Sequence, residues 1–215
     1  MSNSISFQSR INFVSSVDKY AAQKHLNLGN LIKFDLDAPL YVKSDDFHTG
    51  SIKTCTGGGF TDGVSKSLGF HWLDDVENYI HLNNMCSCIF NVFKNENING
   101  LIVGGKNIKS RNYSMNIVND VVDFFKKKVK HLSVFQEHLD SYGGTTYMYN
   151  LKNDTWTLST GYVDKLGNYR PAQNMEDLKK CYRQILIADN DTLCFSGVEV
   201  PKESVKAFVK TLLPG

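Results

Sequence analysis

Two pairs of β-like stretches, each joined by a short polar turn, constrain most strongly what this chain can fold into. Residues 145–151 and 155–163 flank the turn Lys152-Asn153-Asp154, and residues 185–188 and 193–200 flank a turn at 189–191. Stretches of this length joined by polar turns predict β-hairpins, and a hairpin places antiparallel strands side by side. The chain is therefore expected to contain an antiparallel or mixed sheet.

Helical and extended stretches alternate along the rest of the chain. Ser114 is a predicted N-cap for a helix over 115–129, whose last turn carries Lys126 to Lys128, where positive charge complements the helix dipole. The order of these elements predicts an α+β fold. Further strands are expected at 40–43, on both sides of a glycine-rich turn at 57–63, at 101–103 and at 131–136, and further helices at 17–26, 79–94, 174–183 and 201–213.

Composition limits the classes of partner. The chain has 215 residues, 41% of them hydrophobic, and a formal net charge of +2. No linker divides it, so one domain over 1–215 is expected. Without a strong positive field we expect neither nucleic-acid nor membrane binding. The odd count of five cysteines and the polar N-terminus predict reduced thiols in a cytoplasmic protein, and leave open secretion by a route without a classical signal peptide.

Cys55 stands just before the glycine run, and His71 lies in the next β-like stretch. Two antiparallel strands joined through the glycine turn would bring this thiol and this imidazole together, as a nucleophilic cysteine requires. Thr49, six residues before Cys55, would supply a partner that fixes the tautomer of His71. Spacing alone favours a buried structural thiol and a core histidine over a catalytic pair.

Other combinations of residues were weighed. Cys86-Ser87-Cys88 with His81 offers soft ligands, but the spacing lacks the paired ligands of a zinc finger, so buried thiols are favoured. His138 and Asp140 could complete a Cys-His-Asp set with Cys55, on composition alone. The glycine run lacks the context of a phosphate-binding loop.

Short motifs follow one another in a definite order over residues 39–160: Thr49, Cys55, His71, the segment 79–94, Leu101-Ile102-Val103-Gly104-Gly105, Arg111-Asn112, the helix from Ser114, Asp140 with Gly143-Gly144, and the 145–158 hairpin. This order resembles the chemoreceptor glutamine deamidase (CheD) family. The Cys–His arrangement is also similar to the catalytic domain of cytotoxic necrotizing factor toxins. Residues 162–215 have no clear counterpart in the chemoreceptor family and form a C-terminal elaboration.

The resemblance implies a β-sandwich flanked by helices in α/β/β/α layers, and a catalytic core at 39–160. It implies that Cys55 is the nucleophile, His71 the acid and base, and Thr49 the orienting residue, in an enzyme that converts a target protein's glutamine to glutamate and ammonia. No metal or organic cofactor is expected. Departures such as Lys53-Thr54 before Cys55, where the family has Gly-Ser, favour an effector or toxin over a chemoreceptor-modifying enzyme. The alternative is a non-catalytic protein-binding module on the same scaffold.

Overall fold

The computed structural model describes residues 8–27, 32–33, 40–42, 46–93, 97–105, 113–137 and 144–212. Helices in these ranges are α1 Val17–Gln23, α2 Val76–Phe93, α3 Tyr113–Lys126, α4 Met175–Cys181 and α5 Lys202–Leu212. Strands are β1 Arg10–Phe13, β2 Ile32–Lys33, β3 Leu40–Val42, β4 Phe47–Ile52, β5 Thr56–Thr61, β6 Ser67–Trp72, β7 Asn99–Gly104, β8 His131–Glu137, β9 Thr145–Asn150, β10 Thr155–Ser159, β11 Gly161–Val163, β12 Tyr169–Pro171, β13 Tyr182–Leu186, β14 Thr192–Phe195 and β15 Val198–Glu199.

Two mixed sheets pack face to face. Sheet A has the strand order β15-β14-β1-β10-β9-β4-β2, sheet B has the order β13-β8-β7-β5-β6-β3, and β11 with β12 forms a separate ribbon. Parallel pairs, such as β7 with β8, occur beside antiparallel ones, such as β5 with β6. The prediction of an α+β fold with mixed sheets is therefore confirmed.

Helices cover both outer faces, as the four-layer prediction requires. Phe70 and Trp72 of β6 pack in one core cluster with Leu82 of α2 and Val121 of α3, which places these helices outside sheet B. On the other side, Val17 and Ala21 of α1 pack against Met148 of β9. Between the sheets lies the largest aromatic cluster, which includes Phe13, Phe47, Phe135, Tyr147, Tyr149 and Trp156.

The glycine run is not a turn, and that prediction is wrong. Gly57 to Gly59 lie inside β5, and the turn follows at 62–66, where the Asp62 carboxylate accepts the backbone N–H groups of Val64, Ser65 and Lys66. The glycines are needed because sheet A approaches closely. A Cβ on Gly59 would lie 2.8 Å from the Trp156 ring and 2.4 Å from the carbonyl oxygen of Leu68.

Local turn chemistry predicted one hairpin correctly and one wrongly. The hairpin of β9 and β10 is confirmed, with Asn150 paired to Thr155. The predicted hairpin of 185–188 and 193–200 does not form, because β13 pairs with β8 in sheet B while β14 pairs with β1 in sheet A. The N-cap prediction for Ser114 is also wrong, since α3 already includes Tyr113.

The C-terminal residues complete the sandwich. Segment 162–215 supplies β13 to sheet B and β14 to sheet A, and α5 contacts both strands. The pattern at the N-terminus had not indicated β1, which lies parallel to both β10 and β14. Within the described residues, none of the helices combines the length and apolar character that crossing a bilayer would need.

Candidate active site

The Thr49 hydroxyl and the His71 imidazole meet between the two sheets. Thr49 lies in β4 of sheet A and His71 in β6 of sheet B, and Thr49 Oγ1 is 2.8 Å from His71 Nδ1. His71 faces sheet A because its neighbours Phe70 and Trp72 turn to the helix-covered face, as strand alternation requires. The direction of this hydrogen bond sets which ring nitrogen of His71 carries the proton. If the Thr49 hydroxyl accepts from Nδ1–H, Nε2 is unprotonated and can act as a base. If the hydroxyl donates to Nδ1, Nε2 carries the proton and can act as an acid.

Cys55 lies on the same face of sheet B as His71. Gly57 is paired directly with His71, and Cys55 lies in the bend immediately before β5. Cys55 belongs to the cluster between the sheets, with Ile52 and Val103. Because Thr56 pairs with Trp72, Cys55 lies next to the end of the β5–β6 pair that carries His71. A hydrogen bond between the sulfur and the imidazole stays a prediction.

Glycines shape the backbone beside Cys55. The Cys55 carbonyl accepts the N–H of Gly105 at 3.2 Å, which extends the pairing of β5 with β7. A Cβ on Gly104 would lie only 2.3 Å from that same carbonyl oxygen, and Gly104 has φ +109°. Both constraints exclude other side chains here, so the Gly104-Gly105 pair holds the segment that carries the candidate nucleophile.

The surroundings of Cys55 favour the neutral thiol. Burial raises the pKa of Cys55 most, and the negative charges of Asp74 and Glu137 raise it further. The Thr54 side chain and the backbone N–H of Cys55 itself act in the opposite direction and lower this pKa. A thiolate at Cys55 would therefore require transfer of the proton to a base.

Asp74 and Glu137 are the residues near Cys55 that sequence analysis missed. Glu137 ends β8, and its Oε1 accepts the backbone N–H of Thr145 at 3.1 Å and its hydroxyl at 2.9 Å. Thr54 donates its hydroxyl to Asp74 at 3.2 Å. The sequence could have indicated Asp74, because it is a polar residue just beyond a buried strand. It gave no indication of Glu137, because Glu137 lies near Cys55 only as a result of the pairing of β7 with β8.

The other thiols differ from Cys55 in exposure. All five cysteines lie in described segments and are free thiols. Cys55 retains 9% exposure, whereas Cys86, Cys181 and Cys194 retain 1% or less. Cys88 is exposed on α2. Cys55 is thus the most accessible thiol of the buried ones, and Cys88 is the one that any labelling experiment has to remove first.

The competing constellations receive no support from the described segments. Within them, no group of three or more His, Cys, Asp or Glu side chains could hold a metal ion, and this includes Cys86 and Cys88 with His81. His138, Asp140, Arg111, Asn112 and Gly143 lie outside the described residues. The alternative Cys55–His138–Asp140 set therefore stays a prediction.

Comparison with known proteins assigns no family to this chain. No protein-family model matches it, and no curated protein matches its sequence. The argument for a function therefore depends on the chemistry of Thr49, Cys55 and His71 and on the order of the motifs.

Proposed function

We propose that this protein is a cysteine-dependent protein glutamine deamidase. The observation that carries the proposal is the 2.8 Å contact between Thr49 Oγ1 and His71 Nδ1. The contact joins two residues far apart in the chain, and it is the one that an imidazole acting on Cys55 would need for its orientation. The shared face of Cys55 and His71 supports the same assignment.

In the proposed reaction the thiol is activated only when substrate is bound. Because Thr49 engages Nδ1, Nε2 of His71 takes the proton of Cys55, and the sulfur attacks the carboxamide carbon of a glutamine side chain. The backbone N–H of Cys55, which already acts on its own sulfur, is the proposed oxyanion donor. His71 then protonates the departing nitrogen, and ammonia leaves a thioester.

Water completes the reaction. His71 removes a proton from water, the resulting hydroxide attacks the thioester, and the thiol leaves with that proton. The balance is one carboxamide and one water converted to one carboxylate and one ammonium ion, since the departing ammonia takes up the proton that the new carboxylic acid releases. An effector acting on a host protein remains the preferred biological setting, because the residues around Cys55 and His71 depart from the chemoreceptor-family pattern.

One observation favours the non-catalytic alternative. Burial and two carboxylates raise the pKa of Cys55, as expected for an inert structural thiol. A deamidase converts glutamine in other proteins to glutamate, whereas a non-catalytic binding module leaves it unchanged. The experiment therefore measures this conversion.

The test compares wild type with Cys55→Ser in bacterial and eukaryotic cell lysates. Mass spectrometry of the lysate proteins searches for glutamines that gain about one dalton, the change from amide to acid. Cys88→Ser is the matched control, because it replaces an exposed thiol on α2. We expect the same modified glutamines with wild type and Cys88→Ser and none with Cys55→Ser. Identical glutamine patterns for all three proteins, in both lysates, would reject the deamidase.

Thiol labelling supplies a second test that needs no target protein. In the Cys88→Ser background, iodoacetamide at about pH 7 should modify Cys55 before Cys86, Cys181 or Cys194, because these retain 1% exposure or less. Addition of His71→Ala should slow that modification. A Cys55 that is no faster than the other thiols, or insensitive to His71, would favour the structural alternative.

A further inference from the structure

Thr54 and Asp74 meet beside Cys55, at the end of the β5–β6 pair. Thr56 of β5 pairs with Trp72 of β6, so continuation of this antiparallel register by two residues places Thr54 opposite Asp74. The Thr54 hydroxyl donates to Asp74 Oδ1 at 3.2 Å. Thr54 is half-buried and Asp74 is buried. The contact therefore lies directly next to the candidate nucleophile and is shielded in part from water.

The Thr54 hydroxyl has one proton and two acceptors within reach. A threonine hydroxyl carries a single donor hydrogen, and in the structure it points to Asp74. The Thr54 side chain also forms a hydrogen bond with the Cys55 side chain, and this bond lowers the pKa of the thiol, as a donor to the thiolate does. One proton cannot serve both acceptors at full strength, so the carboxylate and the sulfur compete for it.

Asp74 opposes ionisation of Cys55 in two ways. Its negative charge raises the pKa of the thiol. It also retains the hydroxyl, because its Oδ2 is buried and makes no hydrogen bond to any residue in the described ranges. A buried carboxylate that lost the Thr54 hydroxyl would be poorly solvated. The resting arrangement therefore favours the neutral thiol.

Other titratable groups surround Cys55 and enter every pH profile. β6 contributes His71, and β8 contributes Glu137, whose charge also raises the pKa of the thiol. Glu137 Oε1 accepts from Thr145. Lys53, on the segment of Cys55 itself, is exposed, and β4 and β7 add apolar side chains. These groups are constant among variants of Thr54 and Asp74, so differences between such variants report on this pair.

We propose that Thr54 and Asp74 form a switch that controls Cys55, an inference that rests on the proposed function. At rest the hydroxyl donates to Asp74 and the thiol is neutral. When the proton of Cys55 passes to His71 Nε2, the hydroxyl rotates from the carboxylate to the sulfur and stabilises the thiolate. It returns to Asp74 once the sulfur has bonded to the carboxamide carbon. Thr54 keeps its own proton throughout, so it is a positioning residue, and Asp74 is its restraint.

The experiment follows alkylation of Cys55 by iodoacetamide in the Cys88→Ser background. The rate is measured from about pH 6 to pH 9, where it reports the thiolate fraction. Thr54→Val removes the hydroxyl with little change in volume and should slow alkylation near neutral pH at least about tenfold, as loss of a hydrogen bond to a charged group does. Thr54→Ser keeps a hydroxyl and should restore most of the wild-type rate.

Asp74→Asn should act in the opposite direction. It removes a negative charge and releases the hydroxyl, so alkylation near neutral pH should become at least about threefold faster. In the Thr54→Val background the gain should be smaller, because only the charge is then removed. Packing defects at two residues in contact would not give effects of opposite sign. Asp18→Asn, at an exposed position on α1, is the control and should leave the rate unchanged.

Equal alkylation rates for wild type and Thr54→Val would overturn the switch, as would slower alkylation in Asp74→Asn or full additivity of the two changes. Thr54 is half-buried, so Thr54→Val and Thr54→Ser decide the test even if Asp74→Asn does not fold. Alkylation requires no glutamine, so the switch and the deamidase fail separately. Opposite effects without glutamine conversion in the lysates would retain the switch and reject the deamidase, and conversion with equal alkylation rates would do the reverse.

Discussion

Each of two opposite edges of the sandwich buries one ionisable side chain, and the residues that surround it differ between the two edges. At one edge, burial raises the pKa of the Cys55 thiol, and at the other it raises the pKa of the Asp191 carboxyl to about 7. Cys55 shares its face of the sheet with an imidazole that Thr49 orients. Asp191 has a hydroxyl on one oxygen and no hydrogen bond on the other within the described segments.

The same desolvation thus has different consequences. Next to a base, a neutral thiol can become a nucleophile by giving up its proton when substrate arrives. A neutral buried carboxyl that has no base beside it is stabilised only by a bound ligand or by a lower pH. The comparison predicts that changes at the Cys55 edge alter reaction rates, whereas changes at the Asp191 edge alter the pH dependence of stability.

Loss of the imidazole should give the largest effect. His71→Ala should lower kcat/KM for deamidation about a thousandfold, within the range that a positioned acid–base group contributes. The measurement is the rate of glutamine conversion on a target identified in the lysate search. His81→Ala on α2 is the control, since His81 is exposed. A His71→Ala rate within a few fold of wild type would remove the imidazole from the mechanism.

Replacement of a glycine between the sheets should have the next largest effect. In Gly59→Ala the new methyl meets the Leu68 carbonyl at 2.4 Å and Trp156 at 2.8 Å. We expect a loss of about 3 kcal/mol in the free energy of unfolding, the upper end for overpacking. Urea denaturation measures it.

Gly167→Ala provides a matched control for this substitution. Gly167 has φ +81° and no atom within 4 Å of an added Cβ, so only backbone strain of about 1 kcal/mol is expected. Equal losses for Gly59→Ala and Gly167→Ala would show that sheet separation is not what the glycine run protects.

These glycines also show where the sequence was informative and where it was not. Alternation and turn residues are local, so the β9–β10 hairpin and α2 could be predicted from sequence, whereas the layer order was an expectation from the resemblance in motif order. The role of Gly59 depends on Trp156 and Phe47 of the other sheet, and that of Gly57 on Ile52 of the same opposite sheet, which no local pattern reveals. The failed β13–β14 hairpin has the same cause, because each strand found a partner distant in sequence, β8 and β1.

The candidate site likewise contains residues that the sequence indicated and one that it did not. Thr49, Cys55 and His71 came from the motif order, and the contact of Thr49 with His71 is present. Glu137 lies 82 residues after Cys55 in the sequence, and its charge reaches the thiol only because β7 bridges β5 and β8. Long-range strand pairing is therefore the information that the sequence pattern lacked.

Removal of the orienting hydroxyl should cost less than removal of the imidazole. Thr49→Ala should lower kcat for deamidation about tenfold to a hundredfold with little change in KM, because position and not bond-making is lost. Thr49→Ser keeps a hydroxyl for His71 and should restore most of the rate. If Thr49→Ser is as slow as Thr49→Ala, packing of the methyl group and not the 2.8 Å contact accounts for the loss.

The smallest effect belongs to the Asp191 edge and is a pH dependence. Burial raises the pKa of Asp191 from 3.8 to about 7 in the folded chain, so the folded state binds its proton more tightly than the unfolded state. This contribution to stability is complete below about pH 4 and is lost as pH rises through about 7. Ser133, the backbone of Ser9 and Lys202 lower this pKa, and Asp154 raises it.

Asp191→Asn removes this titration, so its melting temperature should fall less than that of wild type between about pH 5 and pH 8. A difference of about 2–4 °C is expected for each kcal/mol of linked stability in a chain of this size. Other buried acids, such as Asp154, titrate in both proteins, so the difference between the two slopes isolates Asp191. Parallel slopes for the two proteins would mean that Asp191 is already ionised and satisfied in the folded state, and the contrast between the two edges would disappear.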